Sequence, residues 1–245
     1  MPQEEQVLVV ERRILDAVGS FHGLNFDVER YLGALFAQGA PRFIPRPQAE
    51  KDPSFKQLIP YVIMTCDGKC LTYVRGKRAG ETRLVGNRSI GIGGHINPVD
   101  WTLFSADFYK TYCEAVEREV SEEVCVEAQY ADHVVALLND DSNEVGQVHL
   151  GIVHCWVLDT PNVTKREQMI TQMDFLTIEQ LQAVRATMET WSQLCLDGLP
   201  QVMSRLELAT RPRTTQDVHV DIIGIDSRPA GKHHPKAEDH PTPSR

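Results

Sequence analysis

The densest chemistry in the chain lies in the segment Arg118-Glu-Val-Ser-Glu-Glu-Val-Cys-Val126. Glu119, Glu122 and Glu123 fall at i, i+3 and i+4, so a helix places all three carboxylates on one face. Like charges so placed cost a helix about 0.2–0.5 kcal/mol per close pair. A hard divalent cation, which favours carboxylate oxygens, would offset that repulsion. A solvated, glutamate-rich surface helix is the plainer alternative. Ala115, Val116, Val120 and Val124 mark the buried side, which leaves the carboxylates along the rim of a cleft. Upstream lies Ser89-Ile-Gly-Ile-Gly-Gly-His-Ile-Asn97. Adjacent glycines let a backbone turn sharply and approach a ligand without Cβ obstruction. Gly93-Gly94 would also suit an ordinary turn. A glycine turn followed by a helix bearing Arg-Glu-x-x-Glu-Glu is more specific than either half alone.

The rest of the chain must position these groups. Its 245 residues are 42% hydrophobic and 24% charged, enough for a core without disulfides or structural metals. With 34 acidic and 25 basic residues the formal charge is -9, which excludes a general basic surface for nucleic acid. The apolar run near residues 58–64 is too short to cross a bilayer and contains Pro60. The start, Met-Pro-Gln-Glu-Glu, lacks the features of a secretion signal, and a cytoplasmic location is expected, with no membrane partner. Six cysteines without a CxxC pair predict free thiols. The nine histidines do not point to a zinc site, since His149 and His154 lie five apart in a strand-like run and face opposite sides of a sheet.

Residues 1–40 read as mostly helical, with Val28, Tyr31, Leu32, Leu35 and Phe36 on one face. Pro41, Pro45, Pro47 and Pro53 predict a loop or extended arm over 41–56. Strands are expected at 58–66 and 69–75 around the turn Asp67-Gly68, and at 132–138 and 147–158 around a polar turn. Residues 106–124 have helical character. A helix starts at Thr177, with Gln180 completing a capping box, and another is expected over 190–197. Residues 217–225 form a weaker strand pattern. Residues 226–245 hold four prolines and almost nothing apolar, the composition of a disordered tail.

The two-part motif resembles the Nudix hydrolase signature, G-x5-E-x7-R-E-U-x-E-E-x-G-U with U aliphatic. Gly94 matches the first glycine, and Arg118, Glu119, Val120, Glu122, Glu123 and Val126 match the second half in register. The likeness covers roughly residues 58–185. Phe43-Ile-Pro-Arg, Gln57-Leu-Ile-Pro-Tyr and the glycine segment are similar, more narrowly, to a bacterial branch of predicted phosphoesterases. Two features depart from the pattern. Asp100 stands where the first glutamate belongs, six after Gly94, and Arg118 arrives ten residues late, so an insertion enters within 101–112. Its aromatics, Trp101, Phe104, Phe108, Tyr109 and Tyr112, suit packing better than coverage of a base. Cys125 replaces the glycine that ends the helix, where a left-handed cap would be awkward for cysteine.

The resemblance implies an α/β fold, a Nudix-like α/β/α sandwich with a mixed curved sheet and an N-terminal helical extension. The expected divisions are 1–57 for the extension and proline-rich arm, 58–210 for the hydrolase domain, 211–225 for a strand-like segment and 226–245 for the tail. It also implies Mg²⁺, with Mn²⁺ as a substitute, held by Glu119, Glu122 and Glu123, and pyrophosphate-bond cleavage in a small-molecule diphosphate. Arg118 is expected to fix the carboxylates, Gly94 to offer its backbone, and Glu122, Glu123 and Glu167 to serve catalysis. Glu144 competes with Glu167 for the additional carboxylate. His95, Arg75 and Arg83 are candidates for substrate contact, with Lys77 and Arg78 beside them. A sensing or scaffolding domain without catalysis is the alternative. An isoprenoid-diphosphate isomerase would need a site cysteine that neither Cys66 nor Cys70 supplies. Whether the N-terminal helices shape the active-site rim or a homodimer interface is open.

Overall fold

Residues 55–66 read FKQLIPYVIMTC, and in the computed structural model they form the central strand of the sheet. The structure describes residues 4–76, 86–101, 107–166 and 170–210. The expectations placed on 217–225 and 226–245 lie outside them. The chain begins with β1 (Gln6–Glu11), α1 (Arg12–Val18), β2 (Gly23–Asn25), α2 (Val28–Leu35), β3 (Arg42–Pro45) and α3 (Arg46–Ala49). Next come β4 (Phe55–Cys66), β5 (Lys69–Arg75), β6 (Arg88–Ser89), β7 (Gly91–Ile92) and α4 (Phe108–Glu123). It continues through β8 (Val124–Val126), β9 (Tyr130–Asn139), α5 (Glu144–Val148) and β10 (His149–Leu158). The last described elements are β11 (Val163–Lys165), β12 (Ile170–Leu176), α6 (Ile178–Ala183) and α7 (Thr190–Thr210).

The main sheet runs β12-β5-β4-β10-β9-β2, with β1 and β7 also on β4, β3 on β1 and β6 on β5. β10 lies parallel to β4, Leu150 beside Leu58, while β9 is antiparallel to β10, so the sheet is mixed. Alternation along β4 feeds two cores. Leu58, Val62 and Met64 join Ala115, Val116 and Val120 of α4 and Leu15, Tyr31 and Leu35 of the N-terminal helices. Tyr61 and Ile63 join Leu196, Leu199 and Val202 of α7 on the other face. The result is the α/β/α layering, with β4 covered on both sides as a continuous apolar run requires. No helix among the described residues is long and apolar enough to cross a membrane.

The β4–β5 hairpin turns at Asp67 (φ 48°) and Gly68 (φ 73°), the positive-φ pair that matches strand twist. Thr177 and Gln180 form the reciprocal capping box at the start of α6. The N-terminal region differs from the expected mostly helical segment. It has both helices, but β1 and β2 are strands. Val7, Leu8, Val9 and Val10 are fully buried, and β1 lies between β3 and β4. The stretch expected to be a loop or arm holds β3 and α3, because Pro47 falls in the first turn of α3, where a missing N–H costs nothing. Residues 147–148 belong to α5 rather than to a strand. The helix expected over 190–197 continues through Pro200 to Thr210.

Candidate active site

α4 starts at Asp107, whose carboxylate accepts the backbone N–H of Tyr109 and satisfies one of the free donors of the first turn. Thr111, Tyr112, Ala115, Val116 and Val120 form its buried stripe. The described aromatics of the insertion pack inward: Trp101 and Phe108 have centroids 4.9 Å apart, Phe43 lies against both, and Phe36 meets Tyr109 and Tyr112. The insertion therefore fastens α4 to the N-terminal segment. Phe104 lies outside the described residues. At the other end, Val124 is already extended (φ -135°), and β8 pairs Cys125 with Thr164 of β11. The helix passes straight into a strand, so the glycine that Cys125 replaces is not needed for a left-handed cap.

Arg118 organises the site. Its Nε and Nη2 donate to the two oxygens of Asp100 at 2.6 and 3.0 Å. Nη1 reaches Glu119 at 2.8 Å and Glu122 at 3.3 Å, and Nη2 also donates to the His95 carbonyl at 2.9 Å. One guanidinium thus joins α4 to the glycine loop, a use of its planar fork that a lysine lacks. The Asp100 side chain is 2% exposed and also accepts the Asn97 N–H at 2.8 Å, which fixes the loop end. The short residue standing in for the family's glutamate is therefore Arg118's main partner. Asp100 and Glu119 raise the Arg118 pKa further, against the cost of burial.

The three glutamates differ in surroundings. The Glu119 side chain is 13% exposed and that of Glu122 is 53% exposed. Burial pushes the Glu119 carboxyl up; Arg118 opposes the shift, and Glu122 and Asp100 reinforce it. Glu123 is half-buried, and its main-chain carbonyl accepts the Arg166 N–H at 3.0 Å. The set contains only oxygen donors and carries net negative charge, which fits a hard divalent cation. Gly94 adds a geometric test of that fit. A Cβ on it would stand 2.5 Å from the Glu119 carboxylate carbon, so the carboxylate occupies a cradle that only glycine leaves open.

Two neighbouring substitutions separate loop from site. Gly93→Ala would put a Cβ 2.9 Å from the Pro60 carbonyl carbon, and rigid backbone must shift. It is expected to destabilise the protein by about 1–3 kcal/mol. Gly94→Ala meets only the end of a flexible side chain. It is expected to melt near the wild-type temperature but lose activity by on the order of 10- to 100-fold as Glu119 is displaced. Melting curves and turnover of the two variants check this division.

The structure places the other candidates as follows. Arg75 pairs with Glu189 at 3.3 Å and stacks over Tyr73, 5.6 Å from the ring centre. Burial opposes its charge, but Tyr73, Glu189 and Glu123 more than compensate. It is thus within the electrostatic reach of Glu123 but already engaged. His95 contributes its carbonyl to Arg118, while its ring lies against His149 rather than the carboxylates. Glu144 is exposed in the first turn of α5. Arg83, Lys77, Arg78 and Glu167 lie outside the described residues. Asp100 as the brace for Arg118 was visible only as a motif position, and Glu189 as the partner of Arg75 had no local signal, being 114 residues away.

A scan of the sequence against protein-family models gives no match. Protein YmaB of Bacillus subtilis (strain 168) is 33% identical over 167 residues, covering 66% of this chain and 80% of its own. The crystal structure of Tm1382, described as a candidate Nudix hydrolase, superimposes with a TM-score of 0.66 at 28% identity. That match covers 81% of this chain and 99% of Tm1382. The extent of both likenesses, with the layered mixed sheet and the glutamate-bearing α4 against its glycine loop, establishes that the chain belongs to the Nudix hydrolase family.

Proposed function

We propose that the protein is a Mg²⁺-dependent pyrophosphohydrolase, with Mn²⁺ as a substitute, that cleaves the pyrophosphate bond of a nucleoside diphosphate linked to another moiety or of a similar diphosphate. The observation that carries this reading is the Glu119–Glu122–Glu123 face, braced through Arg118 against the Gly94 loop. Glu119, Glu122 and Glu123 would hold the ion. When bound, such an ion neutralises diphosphate charge and lowers the pKa of a coordinated water. Arg118 keeps the Glu119 carboxylate oriented and holds the loop backbone in place. Gly94 leaves room for that carboxylate beside the backbone. Water attacks phosphorus and the anhydride oxygen leaves with its phosphate. The proton of the attacking water goes to a carboxylate, for which Glu122, the most exposed of the three, Glu123 and Glu167 are the candidates. Comparing Glu167→Gln with Glu144→Gln tests the proposed use of a carboxylate outside α4. Six free thiols support a reducing, cytoplasmic setting.

The test is formation of phosphomonoester or pyrophosphate products, separated by chromatography or read as phosphate after added phosphatase, from a panel of nucleoside triphosphates, ADP-ribose, NADH, nucleotide sugars, dinucleoside polyphosphates and a coenzyme A derivative. Turnover of at least one of them with Mg²⁺ or Mn²⁺, abolished by EDTA, is the expected result. Tight binding of a panel member without turnover would replace this reading with a sensing domain.

A further inference from the structure

A second cluster of ligand-type atoms lies on the other side of the glycine loop. The Nε2 atoms of His95 and His149 are 3.4 Å apart, and Glu50 Oε1 is 3.9 Å from His95 Nε2. All three ligand atoms lie within 4.8 Å of one another. We propose that Glu50, His95 and His149 form a transition-metal site, of the kind that takes Zn²⁺, which clamps the end of α3 and the start of β10 to the glycine loop. Nothing in this proposal depends on the hydrolase reading.

The spacing fits the metal. Two imidazole nitrogens bound tetrahedrally at about 2.0–2.1 Å stand about 3.4 Å apart. The tautomer fits as well. His149 Nδ1 lies 2.7 Å from the Val145 carbonyl and donates its N–H there, which leaves the Nε2 lone pair facing His95. Such a backbone partner is the usual way a ligating histidine is oriented. Burial is the first cause that holds the His95 ring down to about 3, with Arg46 and His149 adding to it, and burial also lowers His149. Burial thus favours the neutral imidazole, the form that binds metal.

Gln57 gives an independent indication of a polar occupant. It is fully buried, stands directly beside His149 in the β4–β10 register, and neither of its amide atoms has a partner. A buried amide with both ends unpaired points to a water or ion that completes its bonding. A metal-bound water at the open fourth position would do so. The cluster is separate from the carboxylates. His149 shares its strand face with Val153, in the core on the α7 side, while Gly94 meets Glu119 on the α4 side.

Two cations lie beside the cluster, each with a carboxylate partner. Arg46 Nε is 3.3 Å from Glu50 Oε1, and its Nη1 is 3.0 Å from Glu5 Oε2. On metal binding Arg46 would exchange Glu50 for Glu5 alone. The fully buried Lys56 donates to the His149 carbonyl at 3.2 Å, to the Gly146 carbonyl and Asp141 at 2.7 Å each, and to Asn139 at 2.8 Å. It fixes the His149 backbone and turns its charge toward Asp141. The two imidazole donors favour Zn²⁺ or Co²⁺ over Mg²⁺.

The test uses full-length protein carrying Glu119→Gln and Glu123→Gln, so that the carboxylate face cannot contribute. After EDTA treatment and dialysis, this protein is titrated with Zn²⁺ in a calorimeter, and with Co²⁺ to read visible d–d absorption. The proposal expects one tight Zn²⁺ site, tetrahedral-type Co²⁺ absorption, and at least about 10-fold weaker binding on adding His149→Gln or Glu50→Gln. Glu50 is partly exposed at the end of α3, so Glu50→Gln remains informative if His149→Gln fails to fold. No Zn²⁺ binding by the parent variant would overturn the site, as would affinity unchanged by both added substitutions.

Discussion

Glu123→Gln is expected to lose metal-dependent diphosphate hydrolysis by at least about 100-fold, and Glu122→Gln by a comparable factor. Outer partners of metal ligands already cost 10- to 100-fold when removed, and a direct ligand should reach the upper end or beyond. The fold should survive both changes. The side chain of Glu122 is 53% exposed and Glu123 is half-buried, so neither amide replaces a buried group of the core. Relief of like-charge repulsion, about 0.2–0.5 kcal/mol per close pair, is set against lost attraction of Glu122 to Arg118 and of Glu123 to Arg75. Metal-free stability should therefore change by no more than a few tenths of a kcal/mol. Melting the variants in EDTA alongside turnover in Mg²⁺ separates the two roles. Unfolding of both variants with parallel loss of activity would make the cluster structural.

Arg118→Met is expected to have the largest effect on stability. It removes the fork from Asp100, whose side chain is 2% exposed, and strands that carboxylate without its cation. Leaving a buried charge unpaired costs about 3–5 kcal/mol. For a chain of this size that lowers Tm by roughly 6–20 °C at about 2–4 °C per kcal/mol. Arg118→Lys should fall between the two, because one ammonium cannot serve both Asp100 oxygens, Glu119 and the His95 carbonyl together. Adding Asp100→Asn to Arg118→Met should recover part of the loss, since the stranded charge is then gone. Thermal melts in EDTA of the wild type, Arg118→Met, Asp100→Asn and the double variant form a double-mutant cycle for this pair. Additive losses would show that Arg118 and Asp100 do not act on each other.

Much of the site could be read from local patterns. The carboxylates share a face because i, i+3 and i+4 spacing survives any tertiary context in which the segment is helical. The Asp67-Gly68 hairpin and the Thr177–Gln180 capping box are equally local, and both appear in the structure. Features that depend on distant partners were not legible. The run Val7–Val10 has no alternation because β1 is buried on both faces, and without that period it merges into the neighbouring helical pattern. Alternation rightly separates His149 from His154, but cannot show that His149 meets His95 across the sheet. Asp100 stood at a motif position, yet its role as the buried counter-charge of Arg118 appears only when loop and helix meet.

The central claim is that the α4 carboxylates, braced by Arg118 against the Gly94 loop, hold the divalent ion of a diphosphate hydrolase. Crystals grown with Mn²⁺ and measured at the manganese absorption edge test it most directly. The account predicts an anomalous peak within coordination distance of at least two of Glu119, Glu122 and Glu123, absent from crystals of Glu123→Gln. Manganese bound elsewhere, with all three carboxylates free of metal in the wild-type protein, would contradict it.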